Sequence, residues 1–211
     1  MTTQRLAPLT GVAFIALVII GFAIAGEPPD AESPAQEIVD HYVDNKTATE
    51  VGVLLAVPGL AFLIFFANHL RRVFDAAGDA ALSTTILVGA SIVGVGAAID
   101  STIQIALAES ADDIEPTSVQ TLQALWDNDF VPIALGLLVF LVSVGLSILR
   151  TGVLPRWLGW VALVLVVVGL TPIGFVAFLG TAILILVISI VLAVRAGRTG
   201  APAPGTPATG A

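Results

Sequence analysis

Residues Val51–Arg72 read VGVLLAVPGLAFLIFFANHLRR: eighteen positions without a charge, then a histidine and two arginines within four. Wound as an α-helix at about 1.5 Å per residue, such a run covers most of a hydrocarbon core roughly 30 Å thick. The arginine pair marks where the chain leaves the bilayer. Runs of this kind recur along the sequence, and their recurrence decides the fold class. Of 211 residues, 57% are hydrophobic and 11% charged, with a mean hydropathy of +1.01. A soluble domain carries roughly 25% charged residues. The chain is therefore expected to be an all-α membrane protein.

Six spans are predicted, at about Pro8–Ala25, Val51–Asn68, Ala81–Ala108, Phe130–Leu149, Trp157–Thr171 and Gly174–Val194. The last two join in a tight hairpin through Thr171-Pro172-Ile173-Gly174. Arg5, Arg71, Arg72, Arg150, Arg156, Arg195 and Arg198 then all fall on one side, which the positive-inside rule makes the cytoplasm. Lys46 is the one basic residue on the other side, together with thirteen of the sixteen acids. Asp75 and Asp79 occupy a cytoplasmic turn, and Asp100 lies within a span. Trp157, Trp160 and Trp126 sit at span ends, where amphipathic rings favour the interface. Residues 1–196 thus read as a single transmembrane domain with both termini cytoplasmic. The small, Pro-rich segment 197–211 reads as a disordered tail. A second reading exists for the first span. Ala23-Ile24-Ala25 before Gly26 imitates a signal-peptide cleavage site, although the apolar segment is long for one; cleavage would leave five spans in the same orientation.

Two loops carry short amphipathic patterns, at about 34–44 and 117–127. Ser33-Pro34-Ala35-Gln36 offers a capping serine, a proline at the first helical position and a following glutamine. Behind it Ala35, Ile38, Val39, Tyr42 and Val43 make one apolar face. Thr117-Ser118-Val119-Gln120 repeats the device, with Val119, Leu122, Leu125 and Trp126 at helical spacing. Both are expected to lie over the extracytoplasmic ends of the spans, as a shield for the bundle or as a lid over an outward-facing cavity. Thr47, with Glu50 in a capping box, is expected to start span two, in preference to Asn45-Lys46-Thr47 acting as a glycosylation sequon.

Gly96–Leu107, GAAIDSTIQIAL, places Asp100 roughly 8 Å outside the bilayer midplane at about 1.5 Å per residue. Gly96, Asp100 and Gln104 recur at i, i+4 and share a stripe. A carboxylate facing lipid costs about 2.5–3.5 kcal/mol even on insertion scales, so the stripe should face other helices or a wet cavity. No span interior contains a basic residue to neutralise it. Asp100 must then be protonated, solvated from outside, or paired with a bound cation. Thr181, at similar depth in span six, and Thr171, at the outer end of span five, are its candidate hydroxyl partners. Asp100 reads either as a neutral interhelical knot or as a ligand- or proton-binding residue. Ala90, Gly94 and Ala98 form a small-residue stripe suited to helix packing.

Other chemistry is sparse. The chain has no cysteine, which excludes disulfides, thiolate metal sites and cysteine nucleophiles. His41 and His69 fall on opposite sides of the membrane, and Asp40, His41 and Asp44 are a spacing common on solvated faces, so no metal or other cofactor is expected. Phosphate-binding, zinc-protease and serine-hydrolase motifs are missing, and no catalytic residue is proposed. Gly11, Gly21 and Gly26 repeat the spacing of Gly159, Gly169 and Gly174, a faint echo that gives an inverted repeat no clear support.

SPAQEIVDHYVDN before span two, FFANHLRRVF closing it, and LPRWLGWVALVLVVVGL opening span five resemble a family of actinobacterial multi-spanning integral membrane proteins of the domain-of-unknown-function type. That resemblance implies a bacterial cytoplasmic (plasma) membrane and a helical bundle with a small extracytoplasmic cap, and carries no activity to transfer to any residue. The expected function is non-enzymatic: a structural or accessory bundle, or one binding a small molecule in an outward-facing pocket under the cap. The alternative is a small transporter or proton-coupled carrier using Asp100. Expected partners are the lipid bilayer, and other membrane proteins or a small ligand from the outer side; no nucleic acid is expected.

Overall fold

The computed structural model describes residues 6–171 and 173–199. Arg5, Pro172 and residues 200–211 of the expected tail lie outside them, as does the side chain of Arg198. The described chain is helical throughout, without strands. Its helices are α1 (Leu9–Ala25), α2 (Ala35–Asp44), α3 (Lys46–Asp75), α4 (Ala80–Ser110), α5 (Pro116–Asp127), α6 (Val131–Thr151), α7 (Arg156–Gly169) and α8 (Phe175–Thr199). The first three residues assigned to the tail, 197–199, continue α8.

Four stretches are long and apolar enough to cross a membrane: Lys46–Asp75, Ala80–Ser110, Pro116–Thr151 and Phe175–Ala196. Leu9–Ala25 and Arg156–Gly169, at 17 and 14 residues, are apolar but shorter. Large apolar side chains such as Leu54, Phe65, Val164 and Leu179 are exposed around the bundle, the surface that a lipid-embedded protein presents. The chain is therefore suited to membrane insertion.

The six apolar helices pack in chain order: α1 on α3, α3 on α4, α4 on α6, α6 on α7, α7 on α8, and α8 back on α1. They form a closed ring. Successive members are antiparallel, as the glycine contacts show. Gly21 lies against Gly52 and Gly11 against Phe66 along α1 and α3, while Gly89 and Gly136 meet where α4 crosses α6. The small-residue stripe read on α4 was only partly right. Gly94 approaches Ile64 of α3 at ordinary van der Waals distance and Ala98 is exposed. The tight approach lies on the adjacent face, through Gly89 and Gly96. The two glycine triplets are not structural equivalents either. Gly11, Gly21 and Gly159 sit at close approaches, whereas Gly26 has open space around it.

One end of the ring gathers arginines. Arg150 lies 4.0 Å from Asp79, and Arg195 donates to the carbonyl of Val153. The turn that carries Asp79 bends at Gly78, whose φ of 92° is a left-handed value that glycine adopts without strain. At the opposite, capped end, α2 and α5 pack on one another and on the end of α4. Their shared core holds Ile38, Val39, Tyr42, Leu107, Ala108, Ala111 and Val119. Val43 and Leu125, expected on the apolar faces, are exposed.

Polar bonds lock this cap. Tyr42 Oη donates to Gln123 Oε1 (2.8 Å), and Gln123 Nε2 donates to Asp127 Oδ1 (2.9 Å). The other Asp127 oxygen accepts from Ala31 N at 2.9 Å, while Gln120 Nε2 reaches the carbonyls of Ala31 and Ser33. The helix starts differ from the expected caps. Ser33 and Thr47 cap nothing: α2 follows Pro34, and α3 begins at Lys46 after Asn45. Asn45 Nδ2 instead donates to the carbonyl of His41 (2.9 Å), closing α2 where α3 starts. In the third loop Pro116 is the first helical residue, one position ahead of Thr117. Tyr42→Phe should leave Gln123 Oε1 buried and unpaired, at a cost on the order of 1–3 kcal/mol. The cap should then yield to limited proteolysis in the 26–34 segment at lower temperature than in wild type; unchanged protection would show that the bond contributes nothing.

Candidate functional site

Three hollows follow one another from the cap into the ring. The first, of about 470 Å³, lies beneath the cap and is lined by Glu27, His41, Tyr42, Thr49, Gln104 and Trp126 among others. A slot of about 30 Å³ follows, between Gly21, Gly52, Asp100, Ser101 and Gln104. The third, of about 350 Å³, lies inside the ring between α1, α3, α4, α6 and α8. Its walls are apolar apart from Asp100 and Thr181. Gln104 is common to the first two hollows, Asp100 to the last two, and Phe22 to all three.

The register of α4 explains this placement. Ala90, Val93, Ala97 and Asp100 line the cavity at helical spacing, and Gln104 continues the line upward. Gly96, expected on the same stripe, turns towards α6, where a β-carbon on it would meet Pro132 and Ile133. Four residues advance about 400°, so a stripe read at i, i+4 drifts round the helix. Asp100 and Thr181 do come together on one cavity. The Thr181 hydroxyl donates to Ala177 O (2.6 Å) and keeps its lone pairs for a further donor. Thr171 does not join them: it is exposed and bonds Val168 O within its own turn.

Two neighbours of Asp100 escaped the sequence reading. Trp126 and Asp129, from the end of α5 and the turn after it, stand close enough to act on its carboxyl. Trp126 Nε1 and Asp129 Oδ2 are both buried and find no protein hydrogen-bond partner within the described residues. Gln123, wholly buried, was also missed; the signal available was its i, i+4 spacing from Val119 and towards Asp127. Burial holds the Tyr42 phenol well above its ordinary value, helped by the charges of Asp127 and Asp100. Burial also pulls His41 below its ordinary value, with Asp44 opposing. The His41 ring meets Tyr42 edge-on at 5.4 Å.

Asp40 accepts from Gln36 Nε2 (2.8 Å), and among the described residues no three His, Asp or Glu side chains converge on a metal position. Towards the basic end the ring closes. Thr85 and Ser143 share a 2.6 Å hydroxyl bond, and Phe66, Ile86, Val144 and Ile148 are fully buried. The arrangement suits retention of a molecule with one polar end: a chamber with polar groups on its wall, a carboxylate at the junction, and an apolar cavity beyond. Comparison with protein-family models, with curated proteins and with solved structures finds no match.

Proposed function

We propose that this chain is a non-enzymatic six-span protein of the bacterial cytoplasmic membrane that holds a small molecule inside its helix ring. The cap faces outward and both termini lie in the cytoplasm. The observation that carries the reading is the ring cavity, of about 350 Å³, shared by Asp100 and Thr181 and joined through the slot to the chamber under the cap. A volume of that size falls at the lower end of the range for small-molecule sites. Four of the six helices reach spanning length. We count α1 and α7 as spans too, because each packs antiparallel along ring neighbours and could not leave the bilayer without opening the ring. The arginines at one end support the orientation.

Because the chain has no cysteine, single cysteines report sidedness cleanly. A cysteine at Ser33 should react with an impermeant maleimide on intact cells, and one at Thr151 only after lysis; the reverse pattern inverts the orientation. For the pocket, the neutral probe adamantanol should bind saturably to protein in nanodiscs, and Ala97→Phe, which fills the cavity, should abolish it. Failure of wild type to bind would overturn the reading.

A proton-coupled carrier using Asp100 is the second reading, favoured by two buried hydroxyls below the cavity, Ser147 and Ser189, without hydrogen-bond partners for their oxygens. Probe uptake into proteoliposomes that disappears in Asp100→Asn would place this reading first.

A further inference from the structure

The ring cavity and the chamber above it differ in chemistry, and Asp100 stands at their junction. Below it are side chains such as Phe14, Val18, Leu137 and Ile185; above it are Gln104, Glu27 and Trp126. A molecule filling both must have an apolar body directed into the ring and a polar head directed towards the cap. The charge of that head follows from its surroundings. Asp129 stands close enough to Asp100 for their charges to interact, and Glu27 lines the chamber above. No lysine, arginine or histidine lines the slot or the ring cavity. The described arginines lie towards the other end of the bundle, and the one basic side chain on the chamber wall, His41, is held towards its neutral form by burial. An anionic head at this junction would be repelled by Asp100, with Asp129 close behind it and Glu27 above. A neutral head would require Asp100 to take up a proton, because an uncompensated buried charge is costly, whereas a cationic head pairs with the ionised form. A cation meets the Asp100 carboxylate, and the chamber wall adds the rings of Trp126, Tyr42 and Phe22, residue types that attract ammonium groups.

We infer that the ligand of this pocket is an amphiphilic amine: a compact apolar body seated in the helix ring, with an ammonium head at Asp100 beneath the cap. This rests on the small-molecule reading above and adds the charge and polarity of the ligand. Asp100 supplies the counter-ion, Gln104 and the chamber wall solvate the head, and Thr181 accepts a second N–H where the body is short.

Three probes sharing one cage test it: adamantylamine, adamantanol and adamantane carboxylate, titrated against the full chain in nanodiscs of uncharged lipid, with empty nanodiscs subtracted. The amine should bind on the order of tenfold more tightly than the alcohol, a difference of about 1.4 kcal/mol, and the carboxylate weakest. Asp100→Asn should bring the amine level with the alcohol, and its melting temperature in the same nanodiscs shows whether the variant is folded. Alcohol or carboxylate binding as tightly as the amine to wild type overturns the inference but leaves the pocket reading standing. An amine preference that survives Asp100→Asn also overturns it. If no cage compound binds wild type, both readings fall. The wild-type series alone is decisive should Asp100→Asn not fold.

Discussion

Gly136→Leu should prevent the ring from assembling in its native form. A β-carbon on Gly136 would lie 2.5 Å from Val93 N and 2.8 Å from Gly89 O, and one on Gly89 would lie 2.5 Å from Phe140 N. The obstacles are backbone atoms on a facing helix, so no rotamer change relieves them; α4 and α6 must separate. Overpacking of this kind costs typically about 1–3 kcal/mol and occasionally more. Here the damage spreads, since Val93 and Phe140, at the crossing, also line the cavity. Thermal unfolding in detergent should show a large drop in melting temperature together with loss of adamantanol binding. Gly94→Ala serves as the comparison, because its nearest neighbour is the flexible tip of Ile64 at 3.6 Å, and it should melt within a degree or two of wild type. Equal melting of Gly136→Leu and wild type would show that this crossing does not hold the bundle.

The second large effect is expected at Phe66. Its side chain is fully buried in the main core, and a β-carbon on Gly11 would come within 2.9 Å of its ring and closer still to Ser189 Oγ. α1, α3 and α8 meet there, between the cavity and the basic end. In water, Phe→Ala removes transfer free energy as well as contacts; in a bilayer the unfolded reference keeps the ring among lipid tails, so lost packing remains as the main term. A cost on the order of 3 kcal/mol follows, the low end of the range for soluble cores. Phe66→Ala should unfold well below wild type, while a cavity-filling Phe66→Leu should recover much of the loss. If Phe66→Ala instead melts with wild type, the three helices do not depend on this layer.

These two positions show what the sequence could and could not convey. Helices and apolar segments were legible because hydropathy over about twenty residues is a strong signal, and Asp100 was legible because a carboxylate amid Ile99 and Ile103 stands out. Thr181 could be placed near it from depth alone. Thr171 could not be excluded in the same way, because depth says nothing of rotation about the helix axis. Gly89 and Gly136 were lost among twenty glycines, since close approach depends on which partner helix faces which side. Trp126 and Asp129 were missed for a related reason. They approach Asp100 through the fold of the cap and not along one helix. The expected serine and threonine caps failed because Pro34, Pro116 and Asn45 set the helix starts first.

The closure of the ring in chain order has a consequence for how the protein comes into being. Each ring helix after α1 finds one of its two neighbours already made, so packing can follow the order of synthesis until the end. The exception is α1, whose second neighbour is the last helix made. For most of synthesis the bundle is an arc with an open seam, and the hollow around Asp100 has only part of its wall. Trp126 and Asp129 arrive one helix after Asp100, and Thr181 arrives with the helix that shuts the seam. The ring cavity is therefore walled in only when the last helix arrives, and a chain stalled before α8 would carry Asp100 beside an open seam.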